Sequence, residues 1–294
     1  MGLLVNKITL SQDDKQSFSE NGFIKLKKLF TSEATAQLRK LTSNSNQMKN
    51  PPRFYSGEVS KIGYDVEERV THDIYSSRNF QYVMKQLAHN GLTFMQGIAF
   101  EIKANQKGFP WHHDIYSFCY IRPEDLGYTL WIPLDPINTK EQHGGMAYVS
   151  RQVYSAREYF NFIYQLVQQN KFEELLKTED LNNYDFQFAD HMETFLLENN
   201  QLEDDFEVGD ALLLDKFVWH KSCALKAGPL PSRMAYVMRF VDSQSRHSKV
   251  LLEGTYSLIE ATSKDVQTDL GYKMAKVLKD GEIIPHNFVS LKRS

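Results

Sequence analysis

The sequence predicts a mainly β protein: a sandwich or jelly roll of short antiparallel strands, flanked by N-terminal helices and interrupted by one helical insertion. Three observations carry that expectation. Short apolar, β-branched and aromatic segments crowd into residues 92–242, whereas residues 11–91 carry helical start and stop signals. Residues 151–200 have helical spacing and no strand-like alternation.

The elements follow in order. "SQDDKQSFSENG" predicts a helix with Ser11 as N-cap, acidic residues in its first turn and Gly22 as its stop. "FIKLKKLF" alternates apolar and basic residues, as a half-buried strand does. "TSEATAQLRKLTS" predicts a second helix capped by Thr31 or Ser32, and "SSRNFQYVMKQLAHNG" a third, closed by Asn90-Gly91. The strands expected next are "LTFMQGIAFEIKA", "GYTLWIPLD", "GMAYVS", "ALLLDKFVWHKS" and "RMAYVMRFVD". The insertion at about 151–200 is either a lid or a helical cover for one sheet. No linker divides the 294 residues, so one domain is expected: helices and a first strand over 1–91, the core over 92–241 and an extension over 242–294.

Composition narrows the function classes. A net charge of −3 offers no basic stripe for nucleic acid, and no apolar run is long enough to span a membrane. The N-terminus has no basic start before a long apolar run, so no secretory signal is expected; Asn6 stands where myristoylation needs Ser or Thr. Cys119 and Cys223 are too few for a disulfide framework or zinc cluster and suit reduced thiols in the cytoplasm.

The pentapeptide His-Asp-Ile-Tyr-Ser occurs at 72–76 and again at 113–117. Thr71 precedes the first copy and His112 the second. On a strand, residues i and i+2 share a side, so His112 and Asp114 can face one metal while His113 points away. The first copy sits ahead of a helix, where Asp73, Ser76 or Ser77 can cap. A third ligand is expected from His220, which ends the apolar run "ALLLDKFVWH". Two imidazoles and one carboxylate with open positions opposite form the facial triad of non-haem Fe(II) oxygenases. The open positions suit an α-keto acid and dioxygen, and the acid's far carboxylate needs a cation. Arg233 supplies a fork, and Ser222, two residues after His220, offers a hydroxyl on the same side. Arg239 reads as a structural or pocket-edge residue, and Tyr116, Phe118, Tyr128 and Phe217 as candidate pocket walls.

With "WHHDIYSFCYIRPEDLGYTLWIPLDPINTKEQHGGMAYVS", "GDALLLDKFVWHKS" and the downstream arginine in place, the chain resembles the phytanoyl-CoA dioxygenase family of Fe(II)/2-oxoglutarate-dependent oxygenases over roughly residues 8–241. The resemblance implies a double-stranded β-helix (jelly-roll, cupin-like) core, iron held by His112, Asp114 and His220, and 2-oxoglutarate held by Arg233 and Ser222. Trp131 and Lys103 fall where family members contact that co-substrate. The chain departs from the family at "VSRQV" (149–153), where Pro-Gly-Ser-His is common. The expectation is an iron-, 2-oxoglutarate- and O2-dependent dioxygenase. It would oxidise an unactivated C–H bond of a small-molecule metabolite by hydroxylation, desaturation or ring closure, as a monomer or homodimer. Asp114 speaks against halogenation, which needs that coordination place vacant. The rival readings are a zinc-dependent hydrolase using the same three ligands, and a non-catalytic jelly-roll binding module.

Overall fold

The computed structural model describes residues 3–45, 61–63, 69–88, 90–177, 189–262 and 276–286. Helix α1 (Gln12–Asn21) starts at a reciprocal cap between Ser11 and Asp14 and stops at Gly22, whose φ of 83° an L side chain rarely adopts. Strand β1 (Phe23–Leu26) is shorter than its alternating run, because Lys28 turns to a positive φ of 52°. Thr31 caps α2 (Ser32–Asn44). The first His-Asp-Ile-Tyr-Ser lies largely inside a helix, α3 (Arg69–Tyr75), rather than ahead of one, and Asp73 pairs with Arg69 one turn back. Ser77 caps the short α4 (Arg78–Met84), so the helix expected over 76–91 is about half that length.

The core is two antiparallel sheets. The larger contains β1, β2 (Lys61–Gly63), β3 (Leu92–Lys103), β4 (Gly127–Pro133), β7 (Ala211–Asp215) and β9 (Ser232–Asp242), in the order β1-β7-β4-β9-β3-β2. The smaller runs β6 (Leu202–Glu203), β5 (Met146–Tyr148), β8 (His220–Ser222). Alternation divides the work of the large sheet. Tyr128, Leu130 and Ile132 of β4, with Tyr236, Met238 and Phe240 of β9, pack under Phe18, Leu38, Ile74 and Phe80 of the N-terminal helices. The residues between them, including Trp131, Ala235 and Val237, turn inward against Met146 and Tyr148 of the small sheet. Both faces are covered, which is why these strands read as nearly continuous apolar runs.

"ALLLDKFVWHKS" is not one strand. Its polar Asp215-Lys216 pair makes a turn: the Asp215 carboxylate accepts the Phe217 amide at 2.9 Å, and the chain crosses from β7 in the large sheet to β8 in the small one. Lys216 is fully buried at that crossing. Its ammonium donates to the Arg122 carbonyl at 2.9 Å and lies over the Phe160 and Phe217 rings. The crossing delivers His220 to the small sheet.

The insertion is docked rather than standing off, as far as it is described; residues 178–188 lie outside the described set. Helix α6 (Arg157–Gln168) buries Phe160 and Ile163 against Leu251, Leu252 and Tyr256 of α9 (Lys249–Thr262). A short α7 (Phe172–Leu176) follows. Helix α8 (His191–Asn200) buries Leu197 against Trp111 and Trp219. Cys119 and Cys223 form no disulfide. No helix among the described residues is long and apolar enough to cross a membrane.

Burial pushes the Lys216 ammonium from an ordinary value of 10.5 down to about 7, an effect that Asp125 and Asp215 oppose. Between those pH values the unfolded chain binds a proton that the native chain does not, so stability should rise with pH from about 7 toward about 10. Urea midpoints at pH 7 and 9.5 should show that rise in the wild type and a flatter one in Lys216→Met. Equal rises in both would assign it to another group.

Candidate metal centre

The two imidazoles meet across a backbone bridge. The His112 amide donates to the His220 carbonyl at 2.9 Å, and the His220 amide donates to the His112 carbonyl at 3.0 Å. Residues directly opposite in an antiparallel pair put their side chains on one face, and here the ring centroids lie 4.3 Å apart. Each ring is turned the same way: Nδ1 of His112 faces the Pro110 carbonyl at 2.8 Å and Nδ1 of His220 the Val218 carbonyl at 2.9 Å. A donor at Nδ1 leaves Nε2 as the ligating nitrogen of both rings.

Asp114 joins them by a route other than strand alternation. The chain leaves the bridge after His112, and Asp114 stands at φ −87°, ψ 30° just ahead of the one-turn α5 (Ile115–Phe118). One ligand atom from each of His112, Asp114 and His220 lies within 4.8 Å of the others, and among the described residues this is the one group able to hold a metal ion. Asp114 and His220 are 3% and 4% exposed, so the carboxylate works in a low-dielectric setting. Thr129 Oγ1 donates to Asp114 Oδ2 at 2.7 Å, and Arg239 Nη2 reaches Asp114 Oδ1 at 3.2 Å. Burial would push this carboxyl up, but Arg239 and the two imidazoles outweigh it and hold it well below the usual carboxylate range. Burial, then the neighbouring His220, push the His112 imidazole down to about 3, so it is neutral and fit to ligate at pH 7. His113 points away into a box of Tyr159, Phe160 and Trp219.

A cavity opens between the sheets with His112 and His220 in its lining; Asp114 is not part of that lining, but its ligand atom lies within 4.8 Å of theirs. The cavity walls come from Phe100, Ile102, Trp131, Leu214 and Val237 of the large sheet and Met146 of the small one. Arg233 is 2% exposed and forms part of this lining. Its Nε donates to the Gly144 carbonyl at 2.7 Å, its Nη2 to Ser222 Oγ at 2.9 Å, and its guanidinium lies over Trp131 with Cζ 5.5 Å from the ring centroid. Burial pushes it down to about 10, which leaves it charged at pH 7. Among the described residues no carboxylate forms an ion pair with it; Asp135 acts only at longer range. A buried, charged guanidinium lining a cavity is a strong demand for an anion.

The structure thus brings together His112, Asp114, His220, Arg233, Ser222 and Trp131. Lys103 is not brought in. It is the exposed last residue of β3, and since Phe100 and Ile102 line the cavity, alternation sends the Lys103 side chain the other way. Nor do the candidate walls meet this cavity: Tyr128 packs under the N-terminal helices, and Phe118, Phe217 and Tyr116 belong to the core beneath α6 and α9. Thr129 and Gln96 stand near Arg239; the one aliphatic hydroxyl in the otherwise apolar and aromatic "GYTLWIP" is the available sequence signal for Thr129.

No family model and no curated protein sequence matches the chain. Solved structures do. The epimerase SnoN in complex with Fe3+, alpha ketoglutarate and nogalamycin RO superposes with a TM-score of 0.62 at 13% identity, covering 94% of this chain and 96% of that one. EctD from S. alaskensis with bound Fe gives 0.59 at 12%, covering 96% and 92%. The alpha ketoglutarate dependent carbocyclase SnoK from nogalamycin biosynthesis gives 0.56 at 12%, covering 94% and 93%. The likeness is one of fold. The mainly β jelly-roll architecture with helical flanks therefore stands.

Metal uptake separates the two copies of the repeated pentapeptide. Asp114→Ala should lose stoichiometric Mn(II) binding by calorimetry, whereas Asp73→Ala, altered at a half-buried position of α3 away from the cluster, should keep it. Equal affinities in the two variants would remove Asp114 from the ligand set.

Proposed function

We propose that the protein is an Fe(II)- and 2-oxoglutarate-dependent dioxygenase acting on a small-molecule metabolite, akin to the phytanoyl-CoA dioxygenase family. The observation that carries this reading is that both histidines of a two-histidine, one-carboxylate cluster line one cavity with a buried arginine that has no ion-pair partner among the described residues. The donor set fits ferrous iron: two imidazole nitrogens and an ionised carboxylate, three ligands on one side. The comparison proteins are described with iron or alpha ketoglutarate, which supports the same assignment.

With iron bound, the site would couple O2 and 2-oxoglutarate to oxidation of a C–H bond, giving, for hydroxylation, the alcohol, succinate and CO2. The chain's own residues set the conditions. His112, Asp114 and His220 would hold the ion and leave the cavity side open. Arg233 would bind the distal carboxylate of 2-oxoglutarate through its fork, with Ser222 fixing the guanidinium and Trp131 closing off water beneath it. Phe100, Ile102, Met146 and Val237 keep the cavity apolar, which strengthens that ion pair. A zinc-dependent hydrolase would use the same ligands but give the buried Arg233 no anion to hold. Hydroxylation, desaturation and ring closure are all open to such a site. Two unpaired thiols suit a cytoplasmic enzyme.

The test is co-substrate binding and turnover. With Mn(II) in place of iron, 2-oxoglutarate should bind the wild type, and Arg233→Ala should weaken it by about 10- to 100-fold, the worth of a charge-assisted bond. With Fe(II) and ascorbate, succinate should form only when 2-oxoglutarate is present. Failure of 2-oxoglutarate to bind the metal-loaded wild type would overturn the reading.

A further inference from the structure

The sequence reads Arg239 as a structural or pocket-edge residue; it lines the cavity and also contacts Asp114, which asks for an explanation. Three facing residues on three adjacent strands form one rung of the large sheet: Gln96 of β3 stands opposite Arg239 of β9, and Arg239 stands opposite Thr129 of β4. Directly opposed residues share a face. From this rung Thr129 donates to one oxygen of Asp114 at 2.7 Å and Arg239 reaches the other at 3.2 Å, while Gln96 Oε1 accepts from Arg239 Nη1 at 3.2 Å.

Gln96 reaches this face only through an irregularity in β3. Phe94 pairs with Phe240 and Gln96 with Arg239, so the register shifts by one residue across Met95. The effect is a change of parity. Before the bulge the even-numbered Leu92 and Phe94 face the N-terminal helices; after it Ile98 and Ile102 face the interior. Without the bulge Met95 would stand opposite Arg239, and the guanidinium would lose its amide acceptor. Bulges beside functional sites re-aim side chains in this way.

We propose that the rung Gln96–Arg239–Thr129, set in register by the β3 bulge, is a device that positions Asp114 for metal binding. Resting on the metal-site reading above, it makes Arg239 and Thr129 positioning residues that act through the carboxylate. Two donors on two oxygens fix the rotation of a side chain that, at the open start of α5, makes no capping bond of its own. Gln96 fixes the guanidinium in turn. Electrostatics alone would argue the opposite effect, since a guanidinium beside a dication repels it. The two accounts therefore differ in sign.

The experiment is Mn(II) titration followed by electron paramagnetic resonance, without co-substrate, on wild type, Arg239→Met, Arg239→Lys and Thr129→Val. Loss of an outer partner of a metal ligand costs about 10- to 100-fold in affinity. Arg239→Met should show a loss in that range and Thr129→Val a smaller loss. Arg239→Lys, which keeps the charge without the fork, should fall between Arg239→Met and wild type. Circular dichroism melts of the metal-free variants separate this from misfolding: a variant that melts with the wild-type midpoint and still binds Mn(II) weakly supports positioning. Gln96→Leu, which leaves both direct donors in place, gives a second route and should weaken binding if Arg239 itself needs fixing. Unchanged affinity in Arg239→Met and Thr129→Val, or tighter binding in Arg239→Met, would overturn the inference while leaving the metal site intact. A wild type that takes up no Mn(II) would sink the metal-site reading and this inference with it.

Discussion

Two reciprocal backbone hydrogen bonds between His112 and His220 are the constraint on which the rest of the structure depends. They tie a loop leaving β3 to a three-residue strand reached from β7, and they set both imidazoles on one face. Everything around them protects that pairing. The Ser222 amide bonds to the Phe109 carbonyl at 3.0 Å and continues the contact outward. Gly108 permits it, because a Cβ there would collide with the Ser222 carbonyl. Trp111, beside the bridge, is held by Glu198 of α8 through a 2.9 Å bond from its indole N–H.

A second constraint is charge in a dry interior. The inner face of the large sheet carries Thr129, Arg233 and Arg239 among apolar residues, each buried. Arg239 is balanced by Asp114, which keeps that carboxylate ionised despite burial. Arg233 is fixed by a carbonyl and a hydroxyl, neither of which carries charge. The two guanidiniums thus divide the cavity: one is neutralised beside the metal ligands, and the other leaves its charge to be matched by a bound anion. This asymmetry favours an oxygenase with an acidic co-substrate over a site that holds only a metal.

Much of this was legible in the sequence because period-two alternation survives burial. In β4 and β9 Thr129, Arg233 and Arg239 fall on one parity, which is the inner face, while Ser232 and Asp242 at the two ends of β9 fall on the other. The spacing of His112 and Asp114 picked out two residues that do converge, though not by strand alternation: one rides on a strand bridge, the other on the turn into α5. What stayed hidden depends on backbone irregularities without a composition signature. The turn at Asp215-Lys216 splits an apolar run between two sheets, and the bulge at Met95 reverses which residues of β3 face inward. Lys103 shows the same point from the other side, since its direction is set by the parity of Ile102 and not by its residue type.

The most direct measurement is an anomalous difference map from crystals grown with Mn(II) and 2-oxoglutarate. The account requires one strong peak ligated by Nε2 of His112, Nε2 of His220 and a carboxylate oxygen of Asp114, with 2-oxoglutarate reaching from that ion to Arg233. A fully loaded metal ligated by other residues, or a co-substrate lying away from Arg233, would contradict it.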